Sequence, residues 1–101
     1  MAGAYSSSKA AVIGVTKSIG KDVFETGILV NCIAPAVIKT DFAKALYESD
    51  EAGMAARYPL KRLGVTDDTS KLAAFLLSDD ASWITGQTVV IDGGITSTGG
   101  F

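Results

Sequence analysis

The stretch that decides the fold is residues 28–34, which read Ile28-Leu29-Val30-Asn31-Cys32-Ile33-Ala34 and are followed by Pro35. Apolar side chains follow one another here without alternating with polar ones, as expected of a strand buried on both faces of a parallel sheet. Pro35 has no backbone N–H to donate to a neighbouring strand, so we expect it to end this one. The sequence therefore predicts a buried strand over 28–34.

A long helix is predicted immediately before this strand, over residues 4–25. The segment contains no proline, and it carries an apolar row at i, i+4 spacing formed by Ala11, Val15, Ile19 and Val23. Gly27 lies where a left-handed residue would end the helix, since glycine adopts positive φ without a Cβ clash.

Helices and a second strand are predicted after the first strand. Residues 40–58 favour one or two short helices that break near Ser49 and Asp50. Thr66, followed by two aspartates, indicates the start of another helix that ends near Ser78. The β-branched run 87–91 predicts the last strand, and the glycine-rich residues 93–101 are expected to form a flexible tail.

This order of elements indicates the fold class. A strand, a crossover that contains a helix and a second buried strand predict a right-handed parallel βαβ unit. The chain is therefore predicted to be α/β and to form about half of a doubly wound parallel sheet, in one unit.

Composition excludes several kinds of site. The chain carries 9 Lys and Arg against 11 Asp and Glu, a net charge of −2, and no basic run, so nucleic acid is not an expected partner. Histidine is absent, which removes the commonest general base and metal ligand, and no metal site is predicted. Acid–base chemistry must come from Tyr, Lys, Asp or Glu.

The sequence also predicts a cytoplasmic protein with no membrane partner. Cys32 is the single cysteine and cannot form an intrachain disulfide, as is usual in a reducing compartment. No run reaches the roughly 18 apolar residues of a membrane helix, and residues 1–9 lack the features of a signal peptide.

One candidate catalytic pair stands near the N-terminus, in Tyr5-Ser6-Ser7-Ser8-Lys9. On a helix, this spacing puts the phenol and the ammonium one turn apart on the same face. A cation beside a phenol favours the phenolate, so Lys9 would help Tyr5 to exchange a proton near neutral pH. Such pairs also occur by chance on exposed helices, and the pair alone does not decide the function.

Four segments, taken in order, carry a family resemblance. They are Tyr5 to Lys9, the strand 28–35, Pro59-Leu60-Lys61-Arg62-Leu63-Gly64, and residues 82–94 with Ile84-Thr85-Gly86-Gln87 and Asp92-Gly93-Gly94. Together they resemble the active-site helix, the strand leading to the cofactor, the linker and the terminal strand of a short-chain dehydrogenase/reductase. The resemblance implies that residues 1–101 are a truncated C-terminal portion, helix–strand–helix–strand, of a Rossmann-like dinucleotide-binding oxidoreductase domain.

The resemblance also implies a substrate class, a cofactor and site residues. The cofactor would be NAD or NADP, and the substrate a small alcohol or carbonyl compound. Tyr5 would exchange a proton with the substrate oxygen, and Lys9 would assist it and bind the nicotinamide ribose. Pro35, Ile38 and Thr40 would hold the nicotinamide, through the Ile38 backbone on the carboxamide and the Thr40 hydroxyl on the carboxamide or a phosphate.

Two positions near this cofactor segment qualify the assignment. Ala36 stands where the family has glycine, and its methyl group would narrow the approach of the backbone to the cofactor. Thr40 followed by Asp41 is also a common helix N-cap, and both roles can coexist. The helix over 4–25 would form the interface of a homo-oligomer.

Part of the family's machinery is absent from these 101 residues. There is no glycine-rich dinucleotide turn, and the family's catalytic serine and asparagine have no counterpart, because Ser6, Ser7 and Ser8 share the helix of Tyr5. Three hypotheses therefore stand: a C-terminal fragment of an NAD(P)-dependent oxidoreductase that is inactive by itself, a short non-catalytic oligomerisation or partner-binding module, and a non-functional truncation product. Substrate identity and the choice between NAD and NADP are not encoded in this segment.

Overall fold

The computed structural model describes residues 2–98, which form two compact units, one containing 2–33 and 75–89 and the other 34–74 and 90–98. The α-helices are α1 (Ala2–Val23), α2 (Lys44–Tyr47), α3 (Glu51–Ala56) and α4 (Thr66–Leu76). The strands β1 (Cys32–Pro35) and β2 (Thr88–Ile91) pair in a two-stranded sheet.

The sheet is parallel. Gly86 N–H donates to the Val30 carbonyl over 2.7 Å, Cys32 N–H to Gln87 over 2.8 Å, and Ala36 N–H to Ile91 over 3.1 Å. Partner numbers therefore rise together along both segments, which is the register of a parallel pair. The predicted α/β class, with helices between two parallel strands, is confirmed.

The predicted N-terminal helix is confirmed with a shifted end. The α-helix stops at Val23, and residues Phe24–Thr26 continue as a tighter 3₁₀ turn. Gly27 follows with φ of 81° and donates its N–H to the Phe24 carbonyl, so a left-handed glycine does terminate the helical segment.

The first strand is shorter than the predicted 28–34, and it includes Pro35 instead of ending before it. Just before its start, a side chain joins the backbone pairing, because the Val30 N–H donates to Thr85 Oγ1 over 3.0 Å while the Val30 carbonyl accepts the Gly86 N–H. Asn31 donates its side-chain amide to the Ile84 carbonyl and accepts from Gln87 N–H. This is the local hydrogen bonding expected of a polar residue in an apolar strand.

The short helices between the strands are confirmed. α2 and α3 are separated near Ser49 and Asp50, and the Asp50 carboxylate accepts the Gly53 N–H over 3.0 Å as the N-cap of α3. Thr66 is the first residue of α4, which ends at Leu76, two residues before the predicted limit.

The sequence predicts a flexible tail over 93–101, and its described part, residues 93–98, includes the 3₁₀ turn Ile95–Thr98. Gly93 and Gly94 have φ of 59° and 89°, and the Asp92 carboxylate accepts the N–H groups of Gly94 and Thr96. Ile95 is 5% exposed and packs with Tyr58 and Leu63 in the buried cluster of the second unit. Residues 99–101 of the predicted tail lie outside the described residues.

Several large apolar side chains remain exposed in the first unit. On α1, Val12, Val15 and Ile19 are 50%, 52% and 46% exposed, respectively. Trp83 is 98% exposed in the same unit. Among residues 2–98, no helix combines the length and apolar character needed to cross a membrane.

Candidate functional site

The predicted catalytic pair lies on the first two turns of α1. Lys9 Nζ stands 5.3 Å from the centre of the Tyr5 ring, within the range of a cation–π contact. Tyr5 is 61% exposed, and Lys9 is exposed as well. The helix thus exposes an ammonium and a phenol side by side, where both can contact one ligand.

The neighbouring hydroxyl of Ser8 is hydrogen-bonded within the helix. Ser8 Oγ donates to the Tyr5 carbonyl over 2.7 Å, one turn back along α1. By contrast, within residues 2–98 neither the Tyr5 hydroxyl nor Lys9 Nζ has a hydrogen-bond or ion-pair partner. Both polar groups of the pair are therefore available to a ligand.

Ile38, the predicted carboxamide-binding residue, forms a parallel bridge with Gly64. Gly64 N–H donates to the Val37 carbonyl over 3.0 Å, and Lys39 N–H donates to the Gly64 carbonyl over 2.8 Å. In a trans peptide the C=O and the following N–H point in opposite directions. The N–H and C=O of Ile38 therefore both point away from Gly64, and neither is hydrogen-bonded within the described part of the chain.

Gly64 permits this bridge because it has no side chain. A Cβ at that position would overlap Ile38 Cδ1 and lie 3.3 Å from the Val37 carbonyl oxygen. The close approach keeps one donor and one acceptor of Ile38 on the same free side, which matches the oxygen and the NH₂ of a primary carboxamide.

Thr40 caps the turn before α2 and not the helix itself, since the N-cap residue of α2 is Ala43, which has no side-chain cap. Its Oγ1 accepts the Ala43 N–H over 3.1 Å, at the turn that leads into α2, and its carbonyl accepts from the Tyr47 hydroxyl over 3.4 Å. A hydroxyl has one donor hydrogen as well as its lone pairs. Thr40 can therefore cap this turn and still donate a hydrogen bond to a ligand.

Pro35 and Ala36 form the end of β1 and the start of the loop. Pro35 is exposed, and Ala36 donates its N–H to Ile91. Ala36 also packs against the buried cluster of the second unit, so its methyl group contributes to that packing.

A cleft of about 340 Å³ lies in the second unit beside these residues. It is lined by Ile38, Tyr58, Arg62, Asp68, Gly93 and their neighbours. Tyr5 and Lys9 belong to the first unit, whereas Pro35, Ile38 and Thr40 belong to the second. The structure places Lys9 beside Tyr5, and the assignment of all five residues to one site stays a prediction.

Arg62 and Asp68 neutralise each other at the edge of this cleft. Their two hydrogen bonds are 2.7 and 2.9 Å long, and Asp68 also accepts the Val65 N–H over 2.7 Å. The Arg62 guanidinium, followed by the Val65 N–H, holds the pKa of the Asp68 carboxyl well below its usual range. Arg62 thus pairs with Asp68 and stabilises the start of α4.

This pair predicts a pH-dependent stability. Because its pKa is lowered by folding, Asp68 stabilises the fold above the unfolded-state pKa of about 4, and the contribution is lost as the pH falls below that value. The urea midpoint of Asp68→Asn should therefore lie below that of the unmodified chain at pH 7, and the gap should shrink between pH 4 and pH 2. Circular dichroism at one protein concentration measures both midpoints.

Asp67→Asn is the matched control, since its carboxylate is 72% exposed and lies 4.0 Å from Lys71. It should leave the pH dependence of the midpoint in place. A gap between Asp68→Asn and the unmodified chain that persists unchanged to pH 2 would contradict the assignment.

Tyr58 is a residue of this cleft that the sequence did not single out. It is 2% exposed, and its hydroxyl accepts the Val37 N–H over 3.3 Å. Its only sequence signal is a tyrosine directly before Pro59, and this does not reveal a contact across 21 residues.

Comparison with known proteins gives consistent matches. A family profile described as enoyl-(acyl carrier protein) reductase matches residues 1–96. The 3-oxoacyl-(acyl-carrier-protein) reductase of Salmonella typhimurium is 43% identical over 91 residues, which are 90% of this chain and 37% of that protein. Dehydrogenase/reductase SDR family member 4 of Oryctolagus cuniculus is 42% identical over 97 residues, which are 94% of this chain and 37% of that protein. The chain spans little more than a third of the length of these relatives.

A solved structure extends the likeness to three dimensions. The 4-hydroxyisoleucine dehydrogenase complexed with NADH matches with a TM-score of 0.86 and 38% identity, over 94% of this chain and 40% of that one. The predicted fold class, a helix–strand–helix–strand portion of a Rossmann-like doubly wound sheet, is confirmed by this match.

Proposed function

Since this chain belongs to the short-chain dehydrogenase/reductase family, we propose that it is the C-terminal part of an NAD(P)-dependent oxidoreductase that interconverts an alcohol and a carbonyl compound. The observation that carries this proposal is the Tyr5–Lys9 pair, in which an ammonium and a phenol are adjacent, exposed and otherwise uncommitted. The nicotinamide cofactor, when bound, supplies or accepts the hydride.

Tyr5 is the proton-transfer group in this proposal. During reduction its hydroxyl donates a proton to the carbonyl oxygen, and during oxidation it accepts the proton of the alcohol. The exposure of Tyr5 leaves room for a substrate oxygen at hydrogen-bond distance.

Lys9 has two roles that follow from its position one turn after Tyr5. Its positive charge favours the phenolate that remains after proton donation. Its ammonium can also donate hydrogen bonds to the hydroxyls of the nicotinamide ribose, because it has three donors and none of them is hydrogen-bonded within residues 2–98.

The second unit offers groups that fit the nicotinamide end of the cofactor. The free N–H and C=O of Ile38 complement a carboxamide, and the Thr40 hydroxyl retains a donor for the carboxamide or a phosphate. Pro35 would line the same loop. The adenosine end has no assigned residues in these 101 positions, so NAD and NADP both remain possible.

A chimera tests the proposal. The matching 91 residues of the Salmonella typhimurium reductase are replaced by those of this chain, at 43% identity. We expect this chimera to reduce a 3-oxoacyl thioester with NADH or NADPH. The 101-residue chain alone should not, since its sequence lacks the glycine-rich turn that binds the pyrophosphate.

Cofactor oxidation at 340 nm provides the measurement. A folded chimera without activity would contradict the proposed chemistry. Steady turnover by the purified chain would contradict the expectation that it is inactive by itself.

A second candidate function rests on the exposed apolar side chains of α1. Val12, Val15 and Ile19 would be covered if α1 packed against a second copy of the chain. The helix over 4–25 would then form a homo-oligomer interface, either in the enzyme or in a non-catalytic oligomerisation module. We place the protein in the cytoplasm on the basis of its single cysteine.

A further inference from the structure

Tyr58 is held rigidly in the second unit. Its N–H donates to the Ala55 carbonyl over 3.1 Å at the end of α3, and its carbonyl accepts the Lys61 N–H over 2.9 Å. Its ring lies against the turn after β2, where a Cβ on Gly93 would come within 3.3 Å of Tyr58 Cδ1. Both the backbone and the ring of Tyr58 are therefore fixed before its hydroxyl is considered.

The Tyr58 hydroxyl supplies the hydrogen-bond acceptor that Val37 would otherwise find on a neighbouring backbone, in the loop that contains Ile38. If the parallel bridge between Ile38 and Gly64 continued by one step, the Val37 N–H would donate to the carbonyl of residue 62. Lys61, just before that position, has φ of 59°, and the extended pairing does not continue. The Val37 N–H donates to the Tyr58 hydroxyl over 3.3 Å instead.

The Val37 backbone is consequently hydrogen-bonded at both its N–H and its carbonyl. Its N–H donates to Tyr58, and its carbonyl accepts from Gly64. The orientation of that carbonyl determines the direction of the Ile38 N–H, because the peptide between them is planar and trans. Loss of the Tyr58 hydrogen bond would free the preceding Ala36–Val37 peptide and leave the Gly64 contact alone to hold the Val37 backbone.

We propose that Tyr58 is a positioning residue, whose buried hydroxyl holds the Val37 N–H so that Ile38 presents its N–H and C=O to the carboxamide of the nicotinamide. This inference rests on the proposed function, since it requires Ile38 to bind that group. Tyr58 is assigned no contact with the cofactor, because the residue is 2% exposed and its hydroxyl accepts the Val37 N–H. Tyr58 orders this loop before the cofactor binds, so the loop loses less conformational freedom on binding.

The experiment compares Tyr58→Phe with the unmodified sequence in the chimera. Phenylalanine keeps the packing against Gly93 and removes only the hydroxyl. We measure the dissociation constants of NADH and NADPH, and those of ADP-ribose and its 2′-phosphate, which lack the nicotinamide. Tyr58→Phe should weaken binding of the preferred dinucleotide about tenfold, the effect of one hydrogen bond, and leave binding of its nicotinamide-free counterpart within twofold.

Ile95→Val is the matched control, because it trims the same buried cluster and leaves the hydrogen bond from the Val37 N–H to the Tyr58 hydroxyl in place. It should lower the thermal midpoint and leave both dissociation constants unchanged. Amide hydrogen exchange adds an independent measurement, since Tyr58→Phe should accelerate exchange at Val37 selectively and Ile95→Val should not.

The outcomes separate this inference from the proposed function. If the unmodified chimera binds the dinucleotide no better than ADP-ribose, the nicotinamide site itself is wrong and both proposals fall. If it discriminates between them and Tyr58→Phe discriminates equally well, the proposed function stands and the role of Tyr58 is wrong. Equal weakening of both ligands would indicate a general structural role and would also overturn the inference.

Discussion

In the chimera, Tyr5→Phe is expected to lower kcat by about 10²–10⁴-fold, the usual contribution of a positioned acid or base. The substitution removes the one hydroxyl through which Tyr5 can donate a proton and leaves the ring beside Lys9. The dissociation constant of the dinucleotide should change less than twofold, because the nicotinamide-binding groups of the second unit are untouched. Stopped assays at saturating cofactor and substrate measure kcat directly.

Ser7→Ala is the matched control for Tyr5→Phe. It also removes a hydroxyl from the exposed first turns of α1, and it should leave kcat within twofold. An unchanged kcat in Tyr5→Phe would show that Tyr5 is not the acid or base.

Lys9→Ala should behave differently from Tyr5→Phe. The lysine is assigned both a charge beside the phenol and a hydrogen bond to the ribose, so its removal should lower kcat and weaken dinucleotide binding together. A selective effect on kcat alone would remove the ribose contact from the proposal and leave the electrostatic one.

The sequence predicted those features that depend on local backbone chemistry. Gly27 ends the helical segment because a left-handed residue is needed there, and residues with a Cβ adopt that conformation only at an energetic cost. The spacing of Tyr5 and Lys9 fixes their adjacency on any helix. The break between α2 and α3 likewise follows from a capping side chain at Asp50.

Features that depend on distant partners were not predictable in this way. β1 starts at Cys32 and not at residue 28, and in the segment before it side chains of Thr85 and Asn31 share the hydrogen bonding with the backbone. The free N–H and C=O of Ile38 depend on Gly64, and the position of Val37 depends on Tyr58. These contacts join segments more than 20 residues apart, and no periodicity of the sequence records them.

The exposed side of α1 leads to the last expected result, that the purified 101-residue chain associates. Val12, Val15 and Ile19 leave half of their apolar surfaces open, and burying such side chains in a partner releases about 1.5–3 kcal/mol for a full residue. The sheet adds to this tendency, since β1 pairs with β2 alone among the described strands and a bare edge invites another chain. We therefore expect oligomers by light scattering, together with binding of a hydrophobic dye.

Charge placed on the apolar side of α1 should reverse the association. The double variant Val15→Asp and Ile19→Asp puts two carboxylates where an interface would exclude water, and burying an unpaired charge is strongly unfavourable. It should shift the chain towards a monomer, as measured by sedimentation velocity, and it should reduce binding of the hydrophobic dye several-fold. Ser18→Asp adds a carboxylate to an exposed polar position of the same helix and should leave the oligomer intact. If the unmodified chain sediments as a monomer with a well-dispersed amide spectrum, α1 needs no partner to remain soluble, and the proposed homo-oligomer interface is wrong.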